Sequence, residues 1–495
     1  MKERALAQAN ASDAVPISLP PAVGVPKPEV PITRDPGPDT VQRHAAVVSA
    51  TTLVVSLANY AFSLVLIRLL PVADYVTYAS IQSLLLVLGS GGMAAIPWAV
   101  ARHVALTRTT RAAGEALGFG LVASILQGLV FAGLTFALVA PASGVRLGAA
   151  TGAAAFALSV VAAPLGLLQG QGRLVAISVL RVIETVVRIG LSLVLVAAVA
   201  ADPLSPITGF IVGSAILTVA ALVVCRAAFP LRRAARETYL GLLRHSALLG
   251  VAQLGLAALG TVDTVVIALS HIATIDARDY QVAALLGRVP LFVGAAVAMT
   301  YFPQIASATS AGTARLQQAL ATRLMVVLGV PVAVLLATTP IWALDIIALG
   351  RAAQVSHLLP LTAITGITVA TATVLACARQ ARKRYGRLFV LLLPIVAVQP
   401  FLLVAAGNLG TATAFAAFAA SVGVLALAIL AFDLRSWRPW SLVRKSDVAG
   451  ILVIVVLAVV GREIVWVWWV AAIAAVVLCG RALLGHSSAP SGGRE

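Results

Sequence analysis

Residues 59 to 105 read NYAFSLVLIRLLPVADYVTYASIQSLLLVLGSGGMAAIPWAVARHVA. Two apolar runs flank a break from Arg68 to Asp74 that gathers an arginine, a proline and an aspartate. Neither run alternates between apolar and polar residues. Each is long enough for a helix rising about 1.5 Å per residue to approach the roughly 30 Å of a bilayer core. The stretch therefore reads as two membrane-spanning helices joined by a tight turn.

The same pattern fills the rest of the chain. Of its 495 residues 60% are hydrophobic and 11% charged, and mean hydropathy is +1.01. A soluble domain needs about a quarter of its residues charged, so soluble enzyme folds are excluded. An aromatic content of 6% and long unbroken apolar runs favour a helical bundle over a β-barrel. The expected class is all-α and polytopic, with about fourteen transmembrane helices. Residues 1–44, rich in proline, read as a disordered cytoplasmic tail. A six-helix lobe follows over 45–225, then a basic linker over 226–244 and a second six-helix lobe over 245–432. Two additional helices fill 433–480, and 481–495 form a cytoplasmic tail.

Net charge is +17, which in a soluble protein would suggest nucleic acid. The distribution of the charge says otherwise. Of 35 basic residues, 27 fall in the two tails and the even-numbered connections, and five, Arg68, Arg146, Arg278, Arg351 and Arg462, in the odd-numbered ones. Basic residues accumulate on the cytoplasmic side of multi-pass proteins, so both termini are expected there, in a bacterial inner membrane, and no nucleic-acid partner is expected. No Gly-Lys or His-Glu dipeptide occurs, which removes a phosphate-binding loop and a zincin helix. Three dispersed cysteines suggest neither disulfides nor a metal site. No cofactor and no catalytic or metal-binding residue is expected.

Charge inside the apolar spans is expensive and marks candidate function. Arg181, Glu184 and Arg188 recur at spacings of three and four in the span 174–200, on one helical face. Two cations to one anion leave the stripe net positive, which suits an anionic substrate; the competing reading is a self-satisfied ladder. Asp263, in the span 245–270, and Arg288, in 281–302, fall at matched depth on consecutive antiparallel helices and can pair. That leaves Asp263 open as either a structural partner or a proton or cation site. Gly89-Ser90-Gly91-Gly92 with Pro97, and Gly287 with Pro290 and Gly294, are candidate helix breaks. A faint repeat pairs Asp74-Tyr75 with Asp279-Tyr280, an offset that spans six helices and implies two lobes of like orientation.

The stretch quoted first also resembles the opening of polysaccharide flippases of the Wzx type, within the superfamily that holds MATE drug exporters and lipid II flippases. The resemblance rests on Arg68-Leu69-Leu70-Pro71 followed by Asp74-Tyr75, and on the glycine-containing helix that ends at Arg102. LLQGQGR at 167–173, TVDTVVIA at 261–268 and the segment 279–308 resemble the same family, whereas Val76 stands where the family usually has glycine. The resemblance implies two six-helix lobes around a central cavity that moves a polyprenyl-diphosphate-linked oligosaccharide by alternating access, driven by an ion gradient. Arg68, Arg181, Arg188 and Arg288 would meet the diphosphate, with Glu184 among them, and Asp263 would be the coupling-ion residue. Partners would be the lipid-linked oligosaccharide, membrane lipids and the polymerase or glycosyltransferases of the same process. A lipid II or MATE-type transporter and a non-transporting scaffold of wall synthesis stay open as alternatives.

Overall fold

The computed structural model describes residues 38–107, 109–226, 231, 236–267, 270–306, 308, 310–348, 350–382, 385–432 and 444–487. Among these there is no strand. α1 begins at Pro38, inside the segment 1–44 expected to be a tail; residues 1–37 lie outside the described ones. Pro38 sits at the first helical position, where a missing N–H costs nothing.

The first half comprises α1 (Pro38–Leu69), α2 (Val72–Thr107), α3 (Thr110–Ser143), α4 (Val145–Val160), α5 (Ala162–Gly170), α6 (Leu174–Ala198) and α7 (Leu204–Val224). The second comprises α8 (Arg236–Val266), α9 (Thr274–Gly287), α10 (Val289–Ala306), α11 (Ala311–Ala337), α12 (Ile341–Ala348), α13 (Ala352–Ala381), α14 (Tyr385–Gly407) and α15 (Ala412–Phe432). A closing pair, α16 (Lys445–Gly461) and α17 (Val465–Ser487), packs on α11.

Eleven helical stretches among the described residues are long and apolar enough to cross a membrane. Three further passages expected from the sequence differ for separate reasons. The apolar part of α1 within the described residues is the shorter segment Val54–Leu69. α6 carries three charges, and α16 has only 17 residues. Two expected spans are broken helices, α4–α5 at Val161 and α9–α10 at Arg288. α12 is a short extra helix that the hydropathy pattern does not separate from its neighbours.

The alternating passages leave a charge-poor end, which holds the α1–α2, α3–α4, α6–α7, α8–α9 and α14–α15 connections, and a basic end. At the charge-poor end one large apolar cluster joins both halves, from Phe62, Leu66 and Tyr75 in the first to Ile267, Tyr280 and Leu359 in the second. Arg351 reinforces it: its Nε donates to both Asp279 oxygens, at 3.0 and 2.8 Å, and its Nη2 to Asp276. That hydrogen bonding to Asp279 holds the guanidinium of Arg351 above its ordinary pKa, so the cation is fixed. Towards the basic end the clusters are mostly separate, one mainly within the first half but reaching Leu242 of α8, and two within the second. There α2 bridges the halves, with Trp98 against Phe302, ring centroids 5.0 Å apart.

Candidate functional site

A cavity of about 540 Å³ lies between the halves, lined by α1, α2, α4, α6, α7, α8, α9 and α10. Its charged lining consists of Arg181, Arg188, Arg288 and Glu184.

α6 supplies three of the four. The spacings of three and four place them on one face, and two glycines of the neighbouring α7 let that face pack closely. A Cβ on Gly209 would fall 2.8 Å from the Arg188 carbonyl oxygen, and one on Gly213 would fall 2.9 Å from the Arg188 Cβ. With the backbones so near, Arg188 is buried and directed inward. Its Nε donates to Glu184 at 2.7 Å, and its Nη2 donates to the Asn59 side-chain oxygen on α1. The guanidinium carbon also stands 5.5 Å from the centre of the Phe210 ring, within cation–π range. One face of the ladder is thus satisfied internally, as one of the two readings of the sequence held. Glu184 is the one carboxylate on this face of α6 beside two arginines, so with Arg288 and its partner Asp263 the group holds three cations and two anions.

Arg288 reaches the cavity from the α9–α10 break. Gly287 makes that break close-packed: an added Cβ would meet the Thr362 backbone at 2.6 Å. Behind Arg288 lies Asp263, 2% exposed, three residues before the end of α8 and not seven as the span boundary implied. Arg288 donates to one Asp263 oxygen and the Tyr280 hydroxyl to the other, while the Thr264 N–H also donates to Asp263, at 2.9 Å. The pairing expected from matched depth is therefore present, and both carboxylate oxygens are engaged by protein donors.

Arg68 is not brought to this site. It lies exposed at the end of α1, donating to the Ile346 carbonyl of α12. Gly89 to Gly92 do not break α2, which stays helical through Pro97. They serve close packing instead, Gly89 facing Leu158 and Gly91 facing Leu254.

Sequence reasoning passed over the uncharged lining: Asn59, Tyr60, Tyr75, Gln82, Ser83 and Gln281. Asn59-Tyr60 and Gln82 are polar interruptions of apolar runs, a signal weaker than charge but visible in the stretch quoted first.

No protein-family model matches this chain. No curated protein matches it either. Solved structures do match. The chain is similar to the lipid II flippase MurJ in an inward closed conformation, with a TM-score of 0.64 and 12% identity over 87% of this chain and 98% of that one. It is similar to an inward-facing multidrug resistance MATE family transporter of the MOP superfamily, with a TM-score of 0.56 and 13% identity over 80% and 99%. The eukaryotic MATE transporter AtDTX14 gives 0.59 and 12% over 82% and 98%. At such identities the likeness is one of fold: the chain has the architecture of MOP-superfamily transporters.

Proposed function

We propose that the protein is a flippase that carries a polyprenyl-diphosphate-linked oligosaccharide across the bacterial cytoplasmic membrane by alternating access, with the basic end cytoplasmic and an ion gradient as the driving force. The observation that carries this reading is the positive cavity. Arg181, Arg188 and Arg288 meet there with one carboxylate in the wall, at the boundary between two halves. Three cations against two carboxylates leave the site with excess positive charge, which is costly in a bilayer, and an anionic diphosphate offsets it. Guanidinium groups also match phosphate oxygens bidentately. A cationic drug would instead meet repulsion, which disfavours a MATE-type substrate.

The fold gives the motion a route. The halves share one apolar cluster at the charge-poor end and are mostly separate towards the basic end, so the cavity is sealed on the side that would be external. Loading would come from the basic side or laterally from the inner leaflet, and release would require the shared apolar cluster and the Arg278 hydrogen bond to the Ile67 carbonyl, which cross between the halves, to part.

The test is flux of a fluorescent polyprenyl-diphosphate disaccharide in proteoliposomes. Arg188→Ala, which leaves Glu184 beside Arg181, should express and remain monodisperse yet lose at least about tenfold in flux, the worth of one charge-assisted contact. Unchanged flux per folded molecule would defeat the proposal.

A further inference from the structure

Arg188 is held from two sides by acceptors of unequal charge. Its Nε donates to the Glu184 carboxylate on its own helix, at 2.7 Å, and its Nη2 to the side-chain oxygen of Asn59 on α1. Asn59 and Arg188 stand ten residues before the charge-poor ends of their helices, Leu69 and Ala198, so they meet at one depth well inside the membrane. α1 packs mainly on α6 and little on α2 or α12, and this hydrogen bond is a polar contact within that interface.

An asparagine is an unfavourable choice if the contact only has to hold α1 to α6. It is a weak helix former in mid-span. Its neutral oxygen also forgoes the ion pairing and the paired-oxygen geometry that a carboxylate gives a guanidinium. An aspartate would fill the same volume and pin the helices more firmly. It would also add a third anion to Glu184 and Asp263, and so cancel the positive excess of Arg181, Arg188 and Arg288. The amide fixes the guanidinium in place and leaves its charge.

The same amide has a second end. A guanidinium only donates, so the Asn59 oxygen must be the atom that faces it, and Nδ2 points away from Arg188. Among the described residues that Nδ2 meets no protein acceptor, and Asn59 lines the cavity. Gln281, another amide of the lining, differs: its Nε2 donates to the Ser80 hydroxyl and the Thr264 carbonyl, both at 3.2 Å. On Arg188 itself Glu184 takes Nε and Asn59 takes Nη2, while Nη1 meets no acceptor among the described residues.

We infer that Asn59 sets the charge selectivity of the cavity: its oxygen orients Arg188 without neutralising it, and its Nδ2 joins Nη1 of Arg188 in donating to a bound anion. This rests on the flippase reading, in which the anion is the diphosphate, and adds to it the residue on α1 that keeps the site selective for negative charge.

The test is equilibrium binding of undecaprenyl diphosphate and of uncharged undecaprenol to the full-length protein in phosphatidylcholine nanodiscs, with thermal unfolding of each variant alongside. The parent should bind the diphosphate at least about tenfold more tightly than undecaprenol. Asn59→Leu, which removes acceptor and donor but adds no charge, should weaken the diphosphate roughly threefold to tenfold. Asn59→Asp should weaken it about a hundredfold, the effect of a unit charge about 6 Å away at an effective dielectric of about 20. Its unfolding temperature should stay equal or rise, because Arg188 gains a charged partner. Adding Glu184→Gln to Asn59→Asp restores three cations and two anions, and should recover at least about tenfold of that loss. An Asn59→Asp protein that binds the diphosphate no worse than Asn59→Leu does, that Glu184→Gln fails to rescue, or that no longer folds overturns the role of Asn59 and leaves the diphosphate site standing. If the parent binds undecaprenol as tightly as the diphosphate, or binds neither, the flippase reading falls and the inference with it.

Discussion

Removing one partner of the Asp263–Arg288 pair should cost very different amounts depending on which partner goes. Side-chain exposure is 3% for Asp263 and 12% for Arg288. Arg288 also lines the cavity, so water can reach its guanidinium once Asp263 is neutral. Asp263→Asn should therefore cost about 1–3 kcal/mol, mainly lost charge-assisted hydrogen bonding. Arg288→Gln leaves a carboxylate with only the Tyr280 hydroxyl and the Thr264 N–H as donors. A stranded buried charge of that kind costs about 3–5 kcal/mol. The double change strands nothing, so it should be more stable than the sum of the singles by about 1–3 kcal/mol. Equilibrium unfolding in mixed detergent micelles measures all four forms. Additive losses, or a costlier Asp263→Asn, would refute the reasoning. Transport by the double variant then separates roles. If the pair is structural, gradient-driven flux returns along with the folded protein; if Asp263 carries the coupling ion, the protein folds and flux stays absent, because an amide does not titrate.

Two further outcomes follow from packing and topology. A Cβ on Gly366 would fall 2.1 Å from the Gly287 carbonyl oxygen, a backbone atom that cannot step aside; Gly366→Ala should lower the yield of folded protein several-fold, whereas Gly241→Ala, with nothing within 4 Å, should leave it unchanged or raised, as expression and size-exclusion profiles will report. In a background lacking Cys225, Cys377 and Cys479, single cysteines at the exposed positions Ser143 and Asn408 should label with an impermeant maleimide from outside whole cells, and one at Ser310 should not; the opposite pattern would invert the membrane orientation.

What the sequence made legible was what the bilayer makes expensive. Long apolar runs had to be helices, because lipid offers backbone groups no other partner. Charges inside those runs had to be paired or wet, which picked out Arg181, Glu184, Arg188, Asp263 and Arg288. All five are buried or partly buried, and all but Asp263 line the cavity. Arg68 shows the limit of that logic: at a helix end a charge is cheap, and the residue is spent on the backbone of α12, a helix the apolar pattern did not separate from its neighbours. The partners of the charges stayed hidden for a similar reason. Asn59 and Tyr280 cost little in their own spans, and their roles emerge only when α1 meets α6 and α9 meets α8.

The repeat carries this furthest. Asp74-Tyr75 and Asp279-Tyr280 match as letters, but the second copy is consumed structurally, Asp279 by Arg351 and Tyr280 by Asp263. In the first copy Asp74 has no ion-pair partner among the described residues, and Tyr75 opens onto the cavity. Two equivalent motifs have thus divided the work, one bracing the second half internally at the charge-poor end and the other facing whatever the cavity holds. The lining follows the same division, drawn mostly from α1, α2, α6 and α7 with a smaller contribution from α8 to α10. A cavity so unequal need not load and release by symmetric motions of the two halves. The first half holds most of the polar groups a ligand would touch, and the second is braced internally by the Arg351–Asp279 and Asp263–Arg288 pairs, so substrate affinity and the rigidity of the second half can be tuned by largely separate substitutions.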